Sequence, residues 1–249
     1  MLQPQKNDLF HIHTFRCRHA ENVPDEEYVK KAVALGKAGI WFTDHAPFPG
    51  NPFGHRMGME ELPEYLDTLF SLKKKYEGIC DVHIGLETEY FPSFEKSGYY
   101  RELLANNHLE FLLLGQHMAE DPTGGYTYDW KKERLNAEEW RALCDAIIAG
   151  IKSGYFAFVA HPDRSFRRCK SWNKEMEEKS RQIHSLSAQM QIPLEINMHS
   201  YGHKTQFWSQ FWNLKMEDEQ IIYGLDAHSI EEISTRLEKE KIFKEGVCD

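Results

Sequence analysis

The chain has 249 residues, 41% hydrophobic and 28% charged, and its 30 basic and 39 acidic side chains leave a net charge of −9. That balance argues against a broad basic surface for nucleic acid, and apolar runs as short as Phe111–Leu114 fall well below the about 20 residues a bilayer crossing needs. Five scattered cysteines, Cys17, Cys80, Cys144, Cys169 and Cys248, lack a C-x-x-C pair and point to neither a disulfide framework nor a thiolate zinc finger. The opening Met1-Leu2-Gln3-Pro4-Gln5-Lys6 lacks the basic-then-apolar pattern of a secretory leader, so a cytoplasmic location is expected. Thirteen histidines are the anomaly.

In chain order, the first strand is expected at 9–14 and is followed by a helix at 24–35, with Tyr28, Val29, Ala32, Val33 and Leu35 as its apolar stripe and Asp25, Glu26 and Glu27 in its first turn. A strand at 39–43 precedes a helix at 63–76 that opens on Pro63. Strands at 82–90 and 110–115 lead to a helix at 136–151, where Asn136 and Glu139 have capping-box spacing. After a strand at 155–160, periodicity predicts a helix over 173–190. Strands at 193–198 and 220–224 follow, and Ser229 with Glu232 repeats the capping pattern ahead of a helix at 229–241. No linker or low-complexity stretch interrupts the series, so residues 1–249 read as one domain.

Alternation of strand and helix favours a parallel sheet with crossover helices. All seven predicted strands end in reactive groups: His11 and His13; Asp44 and His45; Glu87 and Glu89; Gln116 and His117; His161 and Asp163; Glu195, Asn197 and His199; Asp226 and His228. In an open sheet only strands near the switch point meet at one site, whereas in a closed barrel every C-terminal strand end faces a common mouth. The fold class expected is α/β, a TIM-like (β/α)7 barrel with its site at the C-terminal ends of the strands.

Phe10-His11-Ile12-His13-Thr14 alternates, which on a regular strand turns both imidazoles to one face. Such a pair suits zinc, iron, manganese or nickel. Glu87 can serve two cations through its two oxygens, Asp226 and His228 form a second i, i+2 pair, and His117 and His161 each follow an apolar run directly.

The ordered motifs His11-Ile12-His13-Thr14-(x2)-Cys17-x-His19-Ala20, Thr43-Asp44-His45, Gly85-Leu86-Glu87, Gly115-Gln116-His117, Ala160-His161-Pro162-Asp163 and Leu225-Asp226-Ala227-His228 resemble those of the PHP (polymerase and histidinol phosphatase) family. The resemblance runs from residue 8 to about residue 229, and the Cys-x-His-Ala segment is closest to the histidinol-phosphatase branch. It implies a distorted seven-stranded barrel holding up to three divalent metals, zinc, manganese or iron. His11, His13, Glu87 and Asp226 would bind the first, Glu87, His117 and His161 the second, and His19, His45 and His228 the third. The chain departs from the family pattern at Leu9, where many members carry aspartate, and at Leu225, where serine is usual.

Clustered divalent metals suit hydrolysis of a phosphate ester, because they supply hydroxide at neutral pH, as a bridging nucleophile, and neutralise an anionic substrate that an acidic chain otherwise repels. Arg164, next to His161-Pro162-Asp163, is a candidate phosphate clamp. Arg56, in the Pro- and Gly-rich loop 47–58, is a candidate lid residue, and Asn197 a candidate substrate contact. Asp44 and Asp163 either relay a proton to the leaving oxygen or orient neighbouring imidazoles, orientation ranking higher. His184 and His108 are expected on the surface or in hydrogen bonds, the segment from Phe207 to Trp212 in helix packing, and Tyr126, Tyr128 and Trp130 in a specificity loop. The function these features imply is metal-dependent hydrolysis of a small phosphorylated metabolite, L-histidinol phosphate being the leading candidate through the branch resembled, with a place in histidine biosynthesis. The alternatives are a phosphodiesterase or exonuclease on nucleotides or oligonucleotides, and a noncatalytic metal-binding module.

Overall fold

A computed structural model of the chain describes residues 4–106 and 108–246; Met1, Leu2, Gln3 and Cys248 lie outside the described residues. Seven strands, β1 (Asp8–Ile12), β2 (Gly39–His45), β3 (Asp81–Thr88), β4 (Phe111–Leu114), β5 (Phe158–Val159), β6 (Leu194–Asn197) and β7 (Ile221–Gly224), join one sheet in sequence order. The β1–β2, β2–β3, β4–β5 and β5–β6 ladders are parallel. Ile12 also bridges Ala227 in parallel, and Leu225 N donates to Phe10 O at 2.8 Å while His13 N donates to Ala227 O at 2.9 Å. The chain after the last strand thereby pairs with the first, as in a closed α/β barrel. All seven expected strands are present. No helix among the described residues is long and apolar enough to cross a membrane.

The helices are α1 (Asp25–Ala34), α2 (Leu62–Lys75), α3 (Pro92–Ser97), α4 (Tyr99–Leu104), α5 (Lys132–Ser153), α6 (Lys174–Met190), α7 (Ser209–Trp212) and α8 (Ile230–Glu245). Of the stripe expected on α1, Tyr28, Val29 and Ala32 are buried, whereas Val33 and Leu35 face outward. The turn from Ala32 to Val33 carries the latter off the buried face. The expected start of α5 needs correcting. The helix begins at Lys132, ahead of Asn136, because Lys132-Glu133-Arg134-Leu135 are all good helix formers. Glu139 is buried and accepts from Arg167 Nη2 and Arg168 Nε, both at 2.7 Å, instead of closing a capping box. At α6 the cap is Asn173, whose Oδ1 accepts from Met176 N at 3.0 Å, a bond the periodicity did not disclose. Ser229 caps α8 as its spacing predicts, accepting from Glu232 N at 3.2 Å, while Glu232 reaches back to His228 N at 2.6 Å.

Two compact units make up the chain. One comprises Met1–Glu87, Leu104–Leu112 and Tyr223–Asp249, the other Thr88–Leu103 and Leu113–Ile222. In the first, Trp41 stacks on His83 at 4.0 Å and donates from Nε1 to Asp8 Oδ2 at 3.0 Å, and buried Tyr65 donates to Gly85 O at 2.8 Å. Gly85 has no side chain for a packing reason: a Cβ there would come within 2.3 Å of the Phe111 ring. In the second unit Phe166 is surrounded by Trp140, Trp172, Trp208 and Phe211, with ring centroids 5.1–6.5 Å away. The 207–212 segment thus serves packing, as its spacing suggests. His184 is fully buried, its Nδ1 2.7 Å from Glu219 and its Nε2 3.0 Å from Phe211 O, which settles a hydrogen-bonding role.

Removing the Asn173 cap by Asn173→Ala should cost about 1 kcal/mol. Asn136→Ala, at an exposed helix-interior position, should change stability by less than about 0.5 kcal/mol. Urea denaturation of both variants checks this, and an equal loss at the two positions would contradict the observed helix starts.

Candidate metal centre

Each candidate ligand lies at or just past the C-terminal end of a strand, save His19, which follows a 3-10 turn at Phe15–Cys17. The geometry of β1 differs from plain alternation. His11 has φ of 69°, and the β1–β2 register shifts between Leu9 and Ile12. The two rings converge as alternation predicts, their centroids 5.0 Å apart and both fully buried, although the strand is irregular at this point. His161 (φ 31°) and Asp226 (φ 54°) are likewise left-handed.

Within the first unit, His11 Nε2 lies 3.5 Å from Glu87 Oε2 and 3.9 Å from Asp226 Oδ1, and His13 Nε2 lies 3.5 Å from each of the same carboxylates. His45 Nδ1 is 3.1 Å from Glu87 Oε2. His228 stacks on His13 with centroids 4.2 Å apart and lies 4.5 Å from His19. Donor atoms of His11, His13 and Asp226 fall within 4.8 Å of one another, as do those of His13, His45 and Glu87 and those of His19, His45 and His228.

Hydrogen bonds select the ring tautomers. A carbonyl oxygen only accepts, so His19 Nδ1 at 2.7 Å from Cys17 O, and His228 Nδ1 at 3.0 Å from Asp226 O, must each carry a proton. Both rings are left with an Nε2 lone pair. Neither nitrogen of His13 nor Nε2 of His228 has a hydrogen-bond partner among the described residues, although these atoms are buried. Burial, followed by the neighbouring imidazoles His228, His45 and His11, holds the His13 pKa well below its ordinary value. Burial lowers His228 to about 3 against the opposing pull of Asp226, and burial and His45 lower His19. The rings are neutral, the form that ligates a metal. Burial raises Asp44 to about 6, opposed by the Thr14 hydroxyl that donates to its Oδ2. Asp44 Oδ1 accepts from His45 N at 2.9 Å and sits 3.7 Å from His13 Nδ1. Neutral imidazoles with orphaned nitrogens, set beside two carboxylates, fit a borderline divalent cation such as zinc, manganese or iron.

Arg56 is nearly buried in its own loop, between Phe48 and Phe53 at 5.4 and 5.3 Å, and donates to Ala46 O at 3.2 Å.

Within the second unit the His117 and His161 rings lie 5.1 Å apart, and His117 Nδ1 meets buried Glu89 Oε1 at 3.0 Å. This is the carboxylate–imidazole pairing that orients metal ligands, and sequence reasoning assigned Glu89 no such part. The Glu87-x-Glu89 spacing was its one available signal. Arg164 donates from Nε and Nη2 to Ser200 Oγ at 3.2 and 3.0 Å and from Nη2 to Asn197 Oδ1 at 3.3 Å; Asn197 in turn donates to Glu195 Oε1 at 2.5 Å. Asp163 is fully buried, accepts from Trp208 N at 2.9 Å, and is raised by burial to about 7. Trp130 is bound to Asp121 at 2.5 Å and covered by Arg134 at 3.6 Å, and Tyr126 stacks on Tyr128 at 6.1 Å.

The PHP domain model matches residues 10–199. The chain belongs to the PHP family. Among similar PHP-type sequences, a Deinococcus radiodurans protein named "Probable histidinol-phosphatase" is 39% identical over 162 residues, 61% of this chain and 59% of that one. The chain thus matches under two thirds of that relative's length. A Bacillus subtilis protein named histidinol-phosphatase is 24% identical over 94% of this chain and 97% of its own. A crystal structure from Listeria monocytogenes, assigned as a histidinol phosphatase, superposes with a TM-score of 0.74 at 22% identity, covering 91% of this chain and 97% of that one. A histidinol phosphate phosphatase from Lactococcus lactis, complexed with zinc, L-histidinol and phosphate, gives 0.66 at 21% identity, covering 94% and 93%. These likenesses establish the fold as the distorted seven-stranded TIM-like barrel of PHP proteins. Asp226 and His228 lie beyond the matched residues, and their placement beside His11, His13 and His19 comes from the coordinates.

The raised pKa of Asp163 has a consequence for stability. Between its ordinary value of 3.8 and about 7 the folded chain keeps a proton that the unfolded chain releases, so this contribution is complete below pH 3.8 and is lost as pH rises through 7. Asp163→Asn keeps an acceptor for Trp208 and should make the fall in melting temperature across that window shallower. An unchanged slope in thermal melts from pH 4 to 7.5 would show that Asp163 ionises normally.

Proposed function

We propose that this PHP-family chain is a metal-dependent phosphomonoesterase of small phosphorylated metabolites, with L-histidinol phosphate as the leading substrate, and that residues 1–249 act as one catalytic domain. The observation that carries the reading is the clustering around Glu87 and Asp226 of neutral imidazoles, His13 with both nitrogens buried and unpartnered and His228 with its Nδ1 proton on Asp226 O and its Nε2 unpartnered. The names of the Deinococcus, Bacillus and Lactococcus relatives support the substrate.

On this reading two or three divalent ions, zinc, manganese or iron, are held by His11, His13, Glu87 and Asp226, by His19, His45 and His228, and by His117 and His161. Bound there, they lower the pKa of water toward neutrality and offset the charge of phosphate oxygens. The side chains do the remaining work. Glu89 holds the His117 ring in the tautomer that points an Nε2 lone pair at the cation, and Asp44, 3.7 Å from His13 Nδ1, sets a negative charge beside that ring. Arg164, its guanidinium braced by Ser200 and Asn197, binds phosphate oxygens as a planar fork, and Asn197 helps to place the substrate. Arg56 sets the loop beside β2 through its bond to Ala46. Asp163, fully buried and bonded to Trp208 N, positions the segment that follows His161.

Purified protein of measured metal content should hydrolyse histidinol phosphate and, more slowly, simple phosphomonoesters, and should act weakly on phosphodiesters or short oligonucleotides. Preference for diesters would replace this reading with a phosphodiesterase, and a filled site without turnover would leave a metal-binding module. Glu87→Ala and His161→Ala should each lower bound metal and reduce kcat/KM by at least about 100-fold, the upper end of what losing a mere outer-sphere partner costs. Undiminished metal stoichiometry and turnover in both would overturn the ligand assignment. Arg164→Lys should raise KM about tenfold, because an ammonium cannot reproduce the two-pronged contact.

A further inference from the structure

Arg16, which no motif accounts for, is almost wholly buried in the first unit. Its Nη1 donates to both oxygens of buried Asp25 at 2.9 and 2.8 Å and to Thr14 Oγ1 at 3.1 Å, and its opposite edge, Nε and Nη2, holds Glu64 at 2.9 and 3.0 Å. A guanidinium has only donors, so the direction of this chain of bonds is fixed. Thr14 Oγ1 accepts from Arg16, and its own hydrogen goes to Asp44 Oδ2. Asp44 Oδ1 accepts from His45 N and faces His13 Nδ1 at 3.7 Å. The far nitrogen of that ring lies 3.5 Å from both Glu87 and Asp226. A buried guanidinium paired with the buried Asp25 carboxylate, with exposed Glu64 on its outer edge, is expensive to assemble, and removing one buried partner strands the other, so such a network asks for a reason beyond stability.

We infer that Arg16 is a positioning residue for the metal centre: held by Asp25 and Glu64, it fixes the Thr14 hydroxyl as a donor to Asp44, and Asp44 thereby holds the His45 backbone N–H and sets a fixed carboxylate oxygen 3.7 Å from His13 Nδ1, beside two of the proposed metal ligands. The inference rests on the proposed function, since it assigns His13 to a metal. The carboxylate that bonds His45 N and lies beside His13 is itself locked from a cluster on the first helix and the second, α1 supplying Asp25 and α2 supplying Glu64. Thr14 is the single hydroxyl through which the lock passes.

The test is cobalt(II) uptake by the whole chain, followed by competition with a chelator and by the visible absorption of the cobalt-loaded protein. Thr14→Val keeps the side-chain shape and leaves Arg16, Asp25 and Glu64 paired; it should weaken cobalt binding about tenfold and shift the absorption bands. Thr14→Ser retains the hydroxyl and should restore both. Arg16→Met should shift the bands in the same sense as Thr14→Val, with a lowered melting temperature because Asp25 is left buried without its cation. If Arg16→Met does not fold, the Val and Ser variants decide alone. A wild-type chain that takes up no cobalt would overturn the proposed function and this role with it. Wild-type uptake matched in affinity and spectrum by Thr14→Val would overturn the positioning role and leave the proposed function standing.

Discussion

Burial of imidazole nitrogens without partners is the constraint on which this structure turns. An unsatisfied polar atom in the interior costs about 1–3 kcal/mol, and His13 and His228 between them bury such nitrogens in one small region. Protonation cannot relieve the cost, because burial and the proximity of several rings hold His13 and His228 neutral. Hydrogen bonding cannot relieve it either, because the neighbours are other imidazoles and carboxylates whose own bonds are committed elsewhere, as Asp44's are to Thr14 and His45. A cation shared among the lone pairs resolves both conflicts. It satisfies the rings and screens Glu87 from Asp226.

The backbone bears a matching cost. His11, His161 and Asp226 hold left-handed φ values, a region sparsely populated by residues other than glycine and costing on the order of 1–3 kcal/mol each. Regular strands would carry these residues in extended conformation, with their side chains alternating across the sheet. The irregularity at His11 lies where β1 presents His11 and His13 toward the same carboxylates, and that at Asp226 lies where the chain pairs with β1 and His228 stacks over His13. The strained His11 and Asp226 thus each stand two residues before a ring, His13 or His228, that carries an orphaned nitrogen.

What could be read in the sequence was what depends on type and order. Hydrophobic runs marked seven strands, and residues placed at their ends, such as Glu87 after Gly85-Leu86, marked the candidate site. What could not be read depends on partners remote in the chain. Asn136 and Glu139 have the spacing of a cap, yet Arg167 and Arg168 compete for Glu139 and win, since a buried carboxylate needs cations more than an exposed helix end needs an acceptor. Local alternation placed His11 and His13 on one face, as found, but gave no sign of the left-handed φ at His11 or of the pairing of β1 with the 225–227 segment. Arg16 carried no local signal, because Thr14 is two residues away while Asp25 and Glu64 are nine and 48 away.

Orientation of the rings follows two distinct routes, and they differ in what each depends on. His19 and His228 are each bonded through Nδ1 to the carbonyl two residues before them, Cys17 O and Asp226 O. Such a bond is set by local backbone conformation and tolerates substitution of the side chains around it. His117 instead bonds a carboxylate brought from elsewhere, Glu89 from 28 residues away, while His13 lies 3.7 Å from Asp44 at the end of β2 without a hydrogen bond to it. The His117 ring inherits every displacement of the acid that holds it. The carboxylate route also makes an imidazole a stronger donor to a metal than a carbonyl does, because the acid's negative charge raises the basicity of the far nitrogen. The orientation of the His117 ring is therefore set by a second layer of side chains, whereas that of His19 and His228 is set by the backbone.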